Sequence, residues 1–147
     1  TNTLNKAKIK YWLDGGTLLG LYRDGSLISY DSDVDLGIYS LEPDVPDNYR
    51  KFQNILIPAG LYLKTDKGVR KEVRKYETQD KSLHIDLWIF RKRIGFYYHR
   101  AWKGYFIFPK ECLDILTTLK IGDNEFSIPN NPELYLTWLY GCEWKKT

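Results

Sequence analysis

Between Ser32 and Ile38 the chain runs Ser-Asp-Val-Asp-Leu-Gly-Ile, with Val34, Leu36 and Ile38 at alternate positions and Asp33, Asp35 and Gly37 between them. Side chains alternate across a strand, so this period of two predicts one apolar face and one acidic face, with Asp31 extending the acidic row. Asp33 and Asp35 then stand about 6.5 Å apart and point the same way. Like charges so placed repel unless something positive lies between them. A solvent-facing edge strand whose charges deter aggregation would carry the same pattern. A second strand argues for more: in Ser82 to Phe90, Leu83, Ile85, Leu87 and Ile89 line one face while His84, Asp86 and Trp88 line the other. If the two strands are neighbours, Asp33, Asp35 and Asp86 converge on a divalent cation. Hard oxygen ligands favour Mg²⁺ or Mn²⁺, and few protein ligands per ion leave positions open for substrate phosphates. That is a two-ion geometry suited to in-line displacement at phosphorus.

The turn upstream supplies the rest of the candidate site. Gly15-Gly16 permits close approach of a phosphate to the backbone, and Thr17 adds a hydroxyl. The segment from Thr17 to Tyr22 carries Leu18, Leu19, Leu21 and Tyr22 at near-helical spacing and stops at Asp24-Gly25, so unpaired N–H groups and a positive dipole end face the ligand. Arg23, one turn on, has a planar fork suited to phosphate, or to a salt bridge with an aspartate. Asp31 either reaches the cation through water or orients Arg23, a supporting role in both cases. A calcium loop is also tested by the spacing, since Asp31, Asp33, Asp35 and Glu42 occupy EF-hand positions one, three, five and twelve. Leu36 stands where that loop needs glycine, and Pro43 and Pro46 follow where a helix would have to begin, so calcium is rejected.

The remaining elements are short. Ile9 to Leu13 reads as a first strand closed by Asp14-Gly15-Gly16, and Tyr49, Phe52, Leu56 and Ala59 mark an amphipathic helix after a Pro43–Pro46 loop. Two hairpin strands surround Lys67-Gly68. Their Lys64, Lys67, Arg70, Lys71, Arg74 and Lys75 alternate with apolar residues, as a solvated face or as the lining of an anionic site; the solvated face is the expectation. A closing helix is capped by Asn131, begins at Pro132, ends at Gly141 and carries Leu134, Tyr135, Trp138 and Leu139 as its stripe. Trp88, Tyr97, Tyr98 and Trp102 have rings able to stack a base or sugar, with most of them expected in the core.

With 147 residues, 43% hydrophobic and 16% aromatic, the chain is expected to be one compact domain spanning 1–147. Its 22 basic and 19 acidic residues are interleaved, so the net charge of +3 points to no nucleic-acid partner. Cys112 and Cys142 with His84 and His99 match no zinc spacing, which suggests two free thiols and a reducing compartment. No apolar run reaches the length of a membrane span. The chain holds no Met, even at position 1, which suggests a trimmed or excised domain. The expected compartment is the cytoplasm, or a lumen if an N-terminal anchor was removed.

Gly-Gly-Thr at a helix start, Asp33-Val34-Asp35-Leu36 and Asp86 on a later strand together resemble the polymerase-β-type nucleotidyltransferases. The longer run GTLLGLYRDGSLISYDSDVDLGIY is similar to the LicD and fukutin family, and the similarity continues through HIDLWIF and IPNNPELYLTWLYGCEW. The resemblance implies an α+β nucleotidyltransferase-like fold with a mixed central sheet and flanking helices. It implies an enzyme that moves a phospho-alcohol, such as phosphocholine or ribitol phosphate, from a CDP conjugate to a glycan or small-molecule hydroxyl, with CMP leaving. In that reading Asp33, Asp35 and Asp86 hold two Mg²⁺ or Mn²⁺ ions, Asp86 also helps deprotonate the acceptor, and Gly15, Gly16, Thr17 and Arg23 face the phosphates. Transfer of a nucleoside monophosphate from an NTP is the alternative chemistry, and a degenerate binding module the non-enzymatic one.

Overall fold

The computed structural model describes residues 2–40, 47–64, 73–101 and 104–146. Along the chain run α1 (Asn2–Lys6), β1 (Tyr11–Leu13), α2 (Gly15–Asp24), β2 (Asp33–Ser40), α3 (Asp47–Leu56), β3 (Leu61–Leu63), β4 (Val73–Thr78), β5 (His84–Arg93), β6 (Phe96–Ala101) and β7 (Gly104–Pro109). The short α4 (Lys110–Leu113), a hairpin of β8 (Leu116–Ile121) and β9 (Asn124–Pro129), α5 (Pro132–Tyr140) and a 3-10 turn follow. Seven strands form one sheet in the order β1-β2-β5-β4-β3, and the β6–β7 hairpin extends from the far end of β5. β2 and β5 are parallel and their neighbours antiparallel, so the sheet is mixed. The α+β architecture with a mixed central sheet and flanking helices is the one the sequence led us to expect.

The sequence elements map closely. β1 is shorter than expected and begins at Tyr11. α2 opens two residues earlier, on the glycines, because Asp14 caps it: the Asp14 carboxylate accepts from the Gly15 N–H at 2.8 Å. Gly25 closes it in the left-handed region at φ 70°. β3 and β4 pair antiparallel as the expected hairpin, while its turn around Lys67-Gly68, with Arg70 and Lys71, lies outside the described residues. So do the Pro43–Pro46 loop and Trp102. Both cysteines are free, Cys112 buried and Cys142 exposed. Among the described residues no helix is long and apolar enough to cross a membrane.

Two expectations need correction. α5 is capped by Asn131, whose side chain accepts from the Leu134 N–H at 3.1 Å, but its buried face is Pro132, Tyr135 and Leu136, whereas Trp138 is 54% exposed. Tyr135 sets that rotation by stacking on Phe108 at 4.3 Å and reaching the buried Asp14. The second correction concerns the carboxylate side of β2 and β5, which is not simply a wet face. Beyond Asp35 it continues as an aromatic layer: Trp12 lies over Gly37, against Tyr39 and Phe90 at 4.8 Å each. His99 stacks there on Phe106 at 5.3 Å, and its burial pushes its pKa down to about 4, so it stays neutral. The aliphatic face, with Leu36, Ile38, Ile85, Leu87 and Ile89, is buried as expected.

Candidate active site

The register of β2 on β5 decides the geometry. Asp33 lies opposite His84 and Asp35 opposite Asp86, and paired residues of neighbouring strands share a face. The three carboxylates named from sequence, distant in the chain, are thus brought to one end of one face. The extended backbone of β2 through Leu36 is also incompatible with a calcium loop.

Each carboxylate has its own support. Asp35 accepts from the Gly16 N–H at 3.1 Å through Oδ2 and from the Trp88 indole N–H at 3.0 Å through Oδ1. Its backbone N–H donates to the buried Thr17 hydroxyl at 2.9 Å. A Cβ on Gly15 would lie 2.3 Å from Asp35 Oδ2, and one on Gly16 would lie 2.0 Å from Asp31 Oδ2. The double glycine is therefore the gap through which two carboxylates approach the start of α2. Its N–H groups serve Asp14 and Asp35. Asp31 lies against that turn, and its Oδ1 receives the Asp33 N–H at 3.4 Å, so it supports the loop that delivers Asp33. Arg23 makes a two-pronged contact with Asp24, at 2.7 and 2.8 Å, and reaches the Trp144 carbonyl at 3.3 Å; these, rather than Asp31, are its partners.

Asp86 is buried, and its Oδ2 takes the Lys75 ammonium at 2.7 Å. Lys75 is its register partner on β4. Lys64 meets Glu77 at 3.3 Å, and the same carboxylate oxygen lies 3.7 Å from His84 Nδ1. A cavity of about 220 Å³ opens here, lined by Ser32, Asp33, Lys64, Lys75, Tyr76, His84 and Asp86. Among the described residues no three His, Cys, Asp or Glu side chains stand together as a metal cluster; Asp35 is held by Gly16 and Trp88, and Asp86 by Lys75.

Sequence reasoning passed over three members of this site. Lys75 belongs to a hairpin whose alternation reads as a solvated face. Asp14 was read only as a strand stop, although an aspartate directly before Gly-Gly-Thr has the signature of an N-cap. It is fully enclosed, hydrogen-bonded by the Tyr135 hydroxyl at 2.7 Å, with Trp12 Nε1 donating to that hydroxyl at 3.4 Å. Trp88 was a stacking candidate and is instead a donor to Asp35. The last turn of α5 closes another side: burial raises the pKa of the Tyr140 hydroxyl, and the charges of Asp14, Asp35 and Asp31 raise it further.

The electrostatics follow from this crowding. Burial pushes the Asp35 carboxyl up to about 7, with Asp14 and Asp86 adding repulsion that the Trp88 and Gly16 hydrogen bonds only partly offset. Burial also lifts Asp14 to about 6 against the Tyr135 and Gly15 hydrogen bonds. In the unfolded chain both groups ionise near pH 4. Between about pH 4 and 7 the folded state therefore holds more protons than the unfolded one, and stability falls as pH rises through that window. His99, neutral when folded, opposes this below its unfolded value near 6.5. The metal-free protein should accordingly lose Tm between pH 6 and 8, which thermal unfolding in chelator-treated buffers will measure; a Tm rising over that range would contradict the assignment.

A protein-family model described as LicD/FKTN/FKRP, nucleotidyltransferase domain, matches residues 8–131. The chain is 30% identical over 142 residues to a mouse protein named ribitol 5-phosphate transferase FKRP, covering 94% of this chain and 29% of that one. It is also 30% identical over 154 residues to human ribitol-5-phosphate transferase FKTN, covering 97% and 31%. The chain thus spans under a third of the length of these relatives. Among solved structures, Vibrio cholerae DncV in its 3'-deoxy ATP-bound form matches 88% of this chain and 33% of its own, at 14% identity and a TM-score of 0.37, a score that carries no argument. The family match takes in the glycine turn, all three carboxylates and Lys75, and the chain belongs to the LicD/FKTN/FKRP nucleotidyltransferase-domain family.

Proposed function

We propose that this domain catalyses transfer of a phospho-alcohol, of the ribitol phosphate or phosphocholine type, from a CDP conjugate to a glycan hydroxyl. The observation that carries the reading is the register pairing of Asp35 with Asp86, with Asp33 on the same face beside a cavity that also holds two ammonium groups. The names of the relatives support the class of group transferred. In the reaction the acceptor oxygen forms a bond to the phosphorus bearing the alcohol, the bridging bond between that phosphorus and the CMP phosphate oxygen breaks, and CMP leaves with the electron pair. Asp86, facing the cavity, takes up the acceptor proton.

Asp33, Asp35 and Asp86 would hold Mg²⁺ or Mn²⁺. The donor set is right for a hard cation, and the raised Asp35 carboxyl marks a place where negative charge lacks a counter-charge. A bound ion would neutralise the phosphate oxygens and the charge that develops on the leaving group. The protein's own contribution is placement. Gly15 and Gly16 let Asp35 and Asp31 close on the turn, the Gly16 N–H and the Trp88 indole hold the Asp35 carboxylate, and Thr17 anchors the Asp35 backbone N–H. Arg23, bound to Asp24, flanks that helix at its other end.

Release of CMP from CDP-ribitol and CDP-choline, with Mn²⁺ or Mg²⁺ and a glycan acceptor, tests the proposal. The expected result is metal-dependent CMP formation that falls by more than about 100-fold in Asp33→Asn. Pyrophosphate from an NTP would select nucleotidyl transfer, and turnover unchanged in Asp33→Asn would remove the carboxylates from the chemistry.

A further inference from the structure

Among the described residues of the hairpin, Lys75 is the cation drawn onto a proposed metal ligand. It projects from β4 in register with Asp86, and its Nζ sits 2.7 Å from Asp86 Oδ2. Its side chain is 39% exposed, against 11% for the Asp86 side chain. The carboxylate is therefore fixed in the protein, and the ammonium, on a flexible four-carbon stem, is the mobile member of the pair. Burial works against the ammonium, yet the hydrogen bond to Asp86 and the charges of Asp86, Asp33 and Asp35 outweigh it and keep Lys75 protonated. Among the described residues the charged and titratable groups lining its cavity are Asp33, Asp86 and His84, with Lys64 across it.

A dication at Asp86 and an ammonium on the same carboxylate oxygen repel each other, so the two compete for that oxygen. When displaced, the ammonium stays within reach of the cavity, where Lys64 already lines the wall and a phosphate is the complementary ligand. We propose that Lys75 is an exchangeable counter-ion: it holds Asp86 in the cation-free protein and passes to a phosphate of the nucleotide donor when a divalent cation takes Asp86. This rests on the metal-dependent reading of the site given above. It assigns Lys75 two opposed effects, weaker binding of the bare cation and tighter binding of the nucleotide. A merely structural lysine has neither.

Mn²⁺ alone is the first probe, titrated into the parent chain, Lys75→Gln and Lys75→Arg by calorimetry and followed by electron paramagnetic resonance of free Mn²⁺. Removing the competing charge should tighten Mn²⁺ binding about three- to tenfold in Lys75→Gln and enlarge the Mn²⁺-induced rise in Tm, while Lys75→Arg stays near the parent. CMP, titrated into the Mn²⁺-saturated proteins, should bind about tenfold more weakly to Lys75→Gln, with Arg restoring most of the affinity. Parent Mn²⁺ binding with Lys75→Gln unchanged or weaker would overturn the counter-ion role and leave the metal site standing. No Mn²⁺ binding by the parent would overturn both. The Mn²⁺-induced Tm shift is read in every variant, so a loss of folding is seen directly.

Discussion

Asp35→Asn should reduce transfer by roughly a thousandfold or more, the several kcal/mol of charge stabilisation proposed at this position converted at about 1.4 kcal/mol per decade. The same substitution should not unfold the protein. The side-chain amide keeps the shape of the carboxyl and one acceptor oxygen, so one of the Trp88 and Gly16 donors is still satisfied and the other is lost. Against that loss, the amide carries no charge to bury. Near pH 5 the parent Asp35, raised to about 7, is itself protonated, and the two proteins differ little electrostatically. At pH 8 the parent carries a buried charge beside Asp14 and Asp86 and the variant does not. The difference in Tm, variant minus parent, should therefore increase from pH 5 to pH 8 in metal-free buffer. Thermal unfolding at both values checks it, and a difference that shrinks with pH would refute the assigned electrostatics.

The second large effect is on stability. A Cβ at Gly37 would lie 2.2 Å from Trp12 Cε2, 2.4 Å from Nε1 and 2.5 Å from Cζ2. The indole has nowhere to go: it is fully buried, packed on Tyr39 and Phe90, and donates to the Tyr135 hydroxyl. Overpacking a rigid core typically costs about 1–3 kcal/mol, and Gly37→Ala should cost about 3 kcal/mol or more, because backbone faces a ring with no free rotamer. For a chain of this size that lowers Tm by roughly 10 °C. Urea unfolding followed by tryptophan fluorescence will measure it. A variant within about 2 °C of the parent would mean that the indole can leave its seat.

Much of the site was legible because strand physics is local. The alternation through Asp33 and Asp35, and again around Asp86, announced two strands with carboxylates on one side, and the glycine turn announced the start of α2. The parallel pairing that sets Asp35 beside Asp86 is specified by no spacing: the sequence puts both residues on strands and leaves open whether those strands are neighbours. The hairpins between Arg93 and Pro129 were missed in the sequence, although Gly95 and Gly122, both at positive φ, are turn residues that could have marked them. Lys75 was illegible for a particular reason. A strand of alternating basic and apolar residues reads identically whether its cations face water or a neighbouring strand's acid, and the register of β4 on β5 is fixed by pairing between segments of the chain.

Residue type and period alone determined which side chains could carry the chemistry: three aspartates on strand faces, two glycines where backbone must be approached closely, and a threonine at a helix start. Tertiary structure decided their state. It enclosed Asp14 under Tyr135, placed Trp12 on Gly37 so that the acidic face runs into an aromatic wall, and put an ammonium on Asp86. The reason is that ionisation energies and contact distances depend on what excludes water from a group. For Asp35 and Asp86 that shell comes from β1, α2, β4 and β5, segments the sequence holds far apart and only the folded sheet brings together.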